Sequence, residues 1–147
     1  MKRNFSKKVL LFGLLLVSVI SITSCFTTRR SIPIEEGWEL LGEQKVNFVR
    51  DKDELDVVSR NQFTEIKFRV EGREVRLHDL KIYFDNGDKL EPSLDEVIRA
   101  NQSSRVIELA RDGRYIDKIE FKYRTTGNIL DGRATVLVFA KRYDPGY

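Results

Sequence analysis

The 147-residue chain is poor in the residue types on which most site chemistry depends: it has one cysteine, one histidine, one methionine, one tryptophan and three prolines. A lone cysteine, Cys25, excludes an internal disulfide, so the fold must stand on packing alone. With His78 as the only imidazole and no second thiol, the usual zinc and iron ligand sets are unavailable, and so is Cys–His catalysis. No metal or other cofactor is expected. Charge of one sign is scarce as well. The 26 basic residues nearly cancel the 23 acidic ones, and four of the basic residues, with no acidic one, fall in the first 24 positions. Without that segment the net charge is −1. The basic footprint of a nucleic-acid binder is then missing, and nucleic acid is not expected as a partner. The apolar stretch Val9–Ile22 holds fourteen residues, short of the roughly 20 that span a bilayer core as a helix.

What is present begins with that stretch. Lys2, Arg3, Lys7 and Lys8 precede it and small residues follow it, the pattern of a cleaved secretory signal rather than a membrane span. Ile22-Thr23-Ser24-Cys25 resembles the lipobox read by lipoprotein signal peptidase, with the only cysteine where that motif requires one. Residues 1–24 are therefore expected to be a lipoprotein signal peptide, and Cys25 the site of lipid attachment. Residues 25–37 read as the lipidated cysteine and a polar tether. Cys25 to Tyr147 is 123 residues, a size suited to one domain with one core; that domain is expected over 38–147. Phe26 is not the aspartate associated with inner-membrane retention in enteric bacteria, so the expected location is the outer membrane, facing the periplasm.

From Trp38 onward the apolar residues recur with period two, punctuated by turn signals. Over Trp38–Arg50, Leu40, Val46 and Phe48 share a face. A charged turn at Asp51-Lys52-Asp53 leads to a short run, Leu55–Ser59. Thr64–Glu71 alternates cleanly, with Ile66, Phe68 and Val70 inward. Over Glu74–Phe84 the phase changes: Val75 and Leu77 share one face, whereas Leu80, Ile82 and Phe84 fit the other. Since a one-residue slip reverses every side chain, a bulge at His78-Asp79 is expected, with Leu77 and Leu80 both inward. Pro92–Ala100 looks helical, because Ser93 and Glu96 have capping-box spacing and Leu94, Val97 and Ile98 share a helical face. Arg105–Ala110 and Arg114–Arg124 read as a hairpin joined by Arg111-Asp112-Gly113. Thr135–Ala140 is apolar on both faces, as a central strand would be. The expected class is all-β: an antiparallel β-sandwich of seven or eight short strands with one short helix.

Several of these segments carry a resemblance. Ser104-Arg105-Val106-Ile107-Glu108-Leu109, Arg114 and Ile119-Glu120-Phe121-Lys122-Tyr123 are similar to a small family of exported bacterial β-sandwich proteins of unknown function. So are Trp38-Glu39-Leu40-Leu41-Gly42 and the acidic turn Asp51 to Asp56. The likeness covers most of Trp38–Arg142, and its most specific part is the hairpin with Gly113-Arg114; Glu108 departs from the aspartate expected in the first hairpin strand. The resemblance implies a sandwich and an envelope location, and implies no enzyme activity.

Candidate chemistry is thin. His78-Asp79 with a serine would suggest a hydrolase triad, but triads are defined by geometry and no nucleophile-elbow pattern surrounds any serine. Asp51, Asp53, Glu54 and Asp56 form an oxygen-rich loop of the kind that binds calcium, without EF-hand spacing. Trp38, Tyr83, Tyr115, Tyr123 and Tyr143 offer stacking surfaces for sugars, although Tyr115 and Tyr123 share a phase with Ile119 and Phe121 and read as core. In the hairpin register Arg105 and Asp117 become diagonal neighbours on an apolar face. They are expected to form a partly buried ion pair; the alternatives are a bulge that turns one of them outward, or a polar site in which Arg105 holds an anionic ligand group. The expected function is a membrane-anchored, non-enzymatic envelope module. Its partners would be membrane lipid through Cys25 and an envelope protein or glycan. The alternatives are a carbohydrate-binding module, calcium-stabilised in one form, and a cell-wall glycan-acting enzyme with paired carboxylates.

Overall fold

Period-two alternation places every second side chain on one face of a strand, and a chain with many such runs buries them by stacking two sheets. The computed structural model describes residues 31–46, 52–125 and 133–146. The expected signal peptide, Cys25, the first part of the tether, Phe48, Asp51 and the turns at Thr126-Gly127 and Asp131-Gly132 lie outside the described residues. Among those described, nine strands and no helix are present: β1 (Trp38–Lys45), β2 (Lys52–Asp56), β3 (Phe63–Glu71), β4 (Val75–Phe84), β5 (Lys89–Leu90), β6 (Asp95–Ile98), β7 (Ile107–Glu108), β8 (Ile116–Thr125) and β9 (Thr135–Arg142). The first sheet runs β1-β9-β3-β7 and the second β2-β8-β4-β5, with β6 also paired to β4. Every pairing is antiparallel.

The core lies between the two sheets. Ile66, Phe68 and Val70 of β3 and Val136, Val138 and Ala140 of β9 meet Val75, Leu77, Leu80 and Ile82 of β4 and Ile119, Phe121 and Tyr123 of β8. β9 is apolar on both faces and sits between β1 and β3, with all residues from Val136 to Ala140 buried. The compact unit starts at Pro33, ahead of the expected boundary, because the end of the tether is docked. The Glu35 carboxylate pairs with Lys67 at 2.8 Å, and the Gly37 carbonyl accepts the Arg142 N–H at 2.9 Å.

The phase change in β4 is a bulge. Between His78 and Lys81 the register against β8 shifts by one residue, and Leu77 and Leu80 are 0% and 1% exposed. The extra residue, Asp79, has φ of 51°, a left-handed conformation that aspartate tolerates and a β-branched side chain does not. Asp79→Val should therefore cost about 1–2 kcal/mol from backbone strain, while Asp79→Gly avoids that penalty; urea unfolding of the two variants side by side checks the difference.

Three expectations are corrected. Pro92–Ala100 is not helical: residues 95–98 form β6 along the edge of β4, from Val75 opposite Ile98 to His78 opposite Asp95. Leu94 and Ile98 are buried and Val97 is exposed, which is strand alternation. The four-residue spacing of Leu94 and Ile98 suits either structure, and the Ser93 and Glu96 oxygens serve a neighbouring segment instead of a helix start. The Arg105 guanidinium donates to the Ser93 carbonyl, and the Arg105 N–H donates to the Glu96 carboxylate at 3.2 Å. The charged turn before Leu55 is also a strand, β2, which carries Lys52 and Asp53. Asp53 points inward opposite Phe121, an inward charge of the kind that keeps an edge strand from recruiting others.

The third correction concerns the hairpin. β7 pairs with β3 in the first sheet, whereas β8 lies between β2 and β4 in the second. The glycine turn exists, with Gly113 at φ +71°, but the chain does not fold back on itself. Residues 101–114 run along the edge of β3: Ser104 N–H donates to the Phe68 carbonyl, Leu109 N–H to the Thr64 carbonyl and Arg114 N–H to the Phe63 carbonyl. After Arg114 the chain crosses to the second sheet.

Candidate functional site

The outer face of the second sheet carries rows of charge assembled across four strands. In one row Lys52 of β2 lies opposite Lys122 of β8, Lys122 opposite His78 of β4, and His78 opposite Asp95 of β6. In the next, Arg124 lies opposite Arg76; on the other side of the first, Glu54 faces Glu120, and Glu120 faces Lys81. A groove of about 1070 Å³ runs over this face. Its lining includes Lys52, Arg76, His78, Asp79, Asp95, Glu120, Lys122 and Arg124. The β4 bulge turns Asp79 toward Lys122, at 3.0 Å, so the same irregularity that keeps Leu77 and Leu80 inward also shapes the groove.

Each carboxylate lining the groove is matched. Arg76 holds Asp95 with two bonds of 2.6 Å, and Lys89 and Lys81 hold Glu91. Lys118 and Lys52 approach Glu120 at 2.9 and 3.1 Å and also reach Glu54. Glu120 is 7% exposed, and the Lys118 ammonium, aided by Lys52 against the cost of burial, lowers its carboxyl to about 2. Lys122 lowers Asp79, Arg76 lowers Asp95 and Lys89 lowers Glu91. A general acid needs a shift in the opposite direction.

Because the folded Glu120 titrates below its unfolded counterpart, its stabilising contribution is complete above the ordinary carboxylate range and lost as pH falls toward about 2. Stability measured by denaturant titration should decline over that acid window, and Glu120→Gln should flatten the decline. An equally steep fall in the variant would assign it to other carboxylates.

The structure separates the residues expected to form a site. Arg105 and Asp117 are both exposed and stand on segments that do not pair, so the expected ion pair is corrected: its register does not exist. A second bulge explains the failed phase. Between Tyr83 and Phe84 the register against β8 skips one residue, Asp117, which turns Asp117 outward and moves Ile116 into the core. Tyr115, expected in the core, is accordingly 41% exposed. The Nδ1 atom of His78 is buried without a hydrogen-bond partner, so no carboxylate orients the imidazole as a triad requires. Asp53 and Glu54 alternate along β2 and point to opposite faces, and among the described residues no group of three or more His, Cys, Asp or Glu is placed to hold a metal. The aromatic residues form no shared strip: Tyr123 is buried, Lys118 covers the Tyr83 ring at 4.7 Å, and Lys67 covers Trp38 at 4.0 Å on the other sheet.

No curated protein matches the chain. A family described as Domain of unknown function (DUF2541) matches residues 10–140, a span that begins inside the apolar stretch and runs to the end of the buried part of β9. With nearly the whole sequence covered, the chain belongs to the DUF2541 family.

Proposed function

We propose that the protein is a lipid-anchored, non-enzymatic module of the bacterial envelope, held to the membrane through Cys25 and binding its partner in the groove on the second sheet. The observation that carries the binding role is the charge state of the groove. All four carboxylates that line it, Asp79, Glu91, Asp95 and Glu120, have cation partners and lowered pKa values, which suits recognition and disfavours the acid–base pair of a glycan hydrolase. The anchor rests on the basic start, the short apolar stretch and Cys25 at the end of the lipobox-like tetrad. With Phe26 following, the outer membrane facing the periplasm is the proposed location.

The test has two parts. Metabolic labelling with palmitate and membrane fractionation of the full chain should give a labelled, membrane-bound product; an unlabelled soluble protein would sink the anchor. A photo-crosslinker at Lys81, a half-buried position lining the groove, should capture an envelope component from intact cells, and one at Arg60, outside the groove, should not. Equal capture from both positions, or none from Lys81, would remove the binding role from this face.

A further inference from the structure

Cations directly opposite one another on antiparallel strands are destabilising, and the groove holds two such pairs side by side, Lys52 opposite Lys122 and Arg76 opposite Arg124. Three of these four have carboxylate partners: Glu120 and Glu54 for Lys52, Asp79 for Lys122 and Asp95 for Arg76. Arg124 has none among the described residues. Its neighbours on this face include Arg76 opposite, Lys122 two residues back on β8, and Lys52 and His78 on the diagonals; the one acid at a diagonal position, Glu74, two residues before Arg76, is itself engaged in another interaction. Nearby, the His78 Nδ1 is buried and unpaired.

We propose that this end of the groove is an anion subsite in which Arg124, supported by Arg76 and Lys122, takes a singly charged oxyanion of the bound ligand. This rests on the reading of the groove as a binding surface and names the chemistry it selects. A guanidinium presents a planar fork that suits carboxylates and phosphodiesters. Among the cations lining the groove, Lys52, Arg76, Lys81 and Lys122 each hold a carboxylate, which leaves Arg124 as the one lining cation with no carboxylate partner among the described residues. A monoanion matches that single guanidinium, whereas a polyanion or a dianionic phosphate monoester brings charge for which the other cations, already paired with carboxylates, are not free. The arrangement is costly to the empty protein, because Arg124 adds repulsion and has no carboxylate partner among the described residues.

The experiment is an NMR titration of the full-length protein in neutral detergent with acetate, dimethyl phosphate and sulfate as probes. Saturable shifts should appear at Arg124, Arg76 and His78 with one or both monoanions, weakening as salt screens the charges, and sulfate should bind less well. Arg124→Gln should weaken monoanion binding about tenfold or more, the loss of one charge-assisted hydrogen bond, and Arg60→Gln should leave it unchanged. The unfolding midpoint of the probe-free Arg124→Gln protein should stay equal or rise, whereas a structural role for Arg124 would lower it. Preference between acetate and dimethyl phosphate separates a carboxylate-bearing ligand from a phosphodiester. The proposal is overturned if neither monoanion saturates, if Arg124→Gln binds as well as wild type, or if sulfate binds more tightly than both. Continued capture from the Lys81 crosslinker alongside such a result would overturn the anion subsite alone, and loss of both would remove the binding face as well.

Discussion

Replacing Phe121 by alanine should lower the unfolding free energy by about 3–5 kcal/mol, the range for a buried phenylalanine whose cavity does not collapse. Phe121 is fully buried in β8, in the interior of the second sheet. Its ring meets that of Phe68 edge-on, with centroids 5.7 Å apart at 60°, and lies 6.2 Å from Tyr123. Phe68 belongs to β3 in the first sheet, so this contact joins the two layers and adds to the burial of each ring. For a domain stabilised by about 5–15 kcal/mol in total, the loss would leave little reserve. The single tryptophan, Trp38 in β1, provides a fluorescence readout for urea unfolding. Tyr115→Ala, at the exposed residue beyond the second bulge, should change stability by about 0.5 kcal/mol or less. Similar losses for Phe121 and Tyr115 would mean that β8 keeps its alternation through Asp117 after all.

Cys25→Ser should abolish lipid labelling and leave either an unprocessed precursor retaining residues 1–24 or a soluble form. The serine hydroxyl cannot form the thioether on which diacylglycerol attachment depends. The effect is expected to be nearly complete because anchoring is steep in chain number. One acyl chain gives an association constant of about 10⁴ M⁻¹, which is marginal, and each buried methylene adds about 0.8 kcal/mol, so two or three chains hold a protein stably. Folding should not change, since the substitution precedes the compact unit that starts at Pro33. Normal processing and membrane retention of the variant would refute the lipobox reading.

Features dictated by neighbouring residues were legible in the sequence. The alternation of Ile66, Phe68 and Val70, the conflict of phase between Leu77 and Leu80, and the two-sided apolar run of β9 each follow from side-chain period alone. Pairing partners were not legible. Residues 107–108 and 116–125 are strands whether they pair with each other or with others, and a glycine turn at Gly113 fits a hairpin or a crossing between sheets equally well. The bulge at Asp117 was legible only as an alternative to the ion pair, for a related reason. Tyr115 and Asp117 keep the same parity as Ile119, and only the register against Phe84 shows that one residue is extra. The groove was hidden most completely. Lys52, Arg76, Lys122 and Arg124 each read as an ordinary solvent-facing charge on its own strand, and they become a cluster only when three remote strands come into register. His78 and Asp79 were the one part that sequence irregularity pointed to.

The placement of β9 has a consequence for the timing of folding. The last described strand, β9, lies between β1 and β3, and β1, the first described strand, has its only sheet partner among the described residues in it. A nascent chain that has reached the end of β8 can pair β2, β8 and β4, but it leaves Ile66, Phe68 and Val70 without the strand that completes their sheet. The domain therefore closes only after residues 135–142 are available. Pairings this distant in sequence also form slowly, because the loop they close must be ordered before the contacts repay it. A chain that lacks residues 135–142 thus holds both β1 and the open edge of β3 in waiting, and the arrival of β9 joins them in one step.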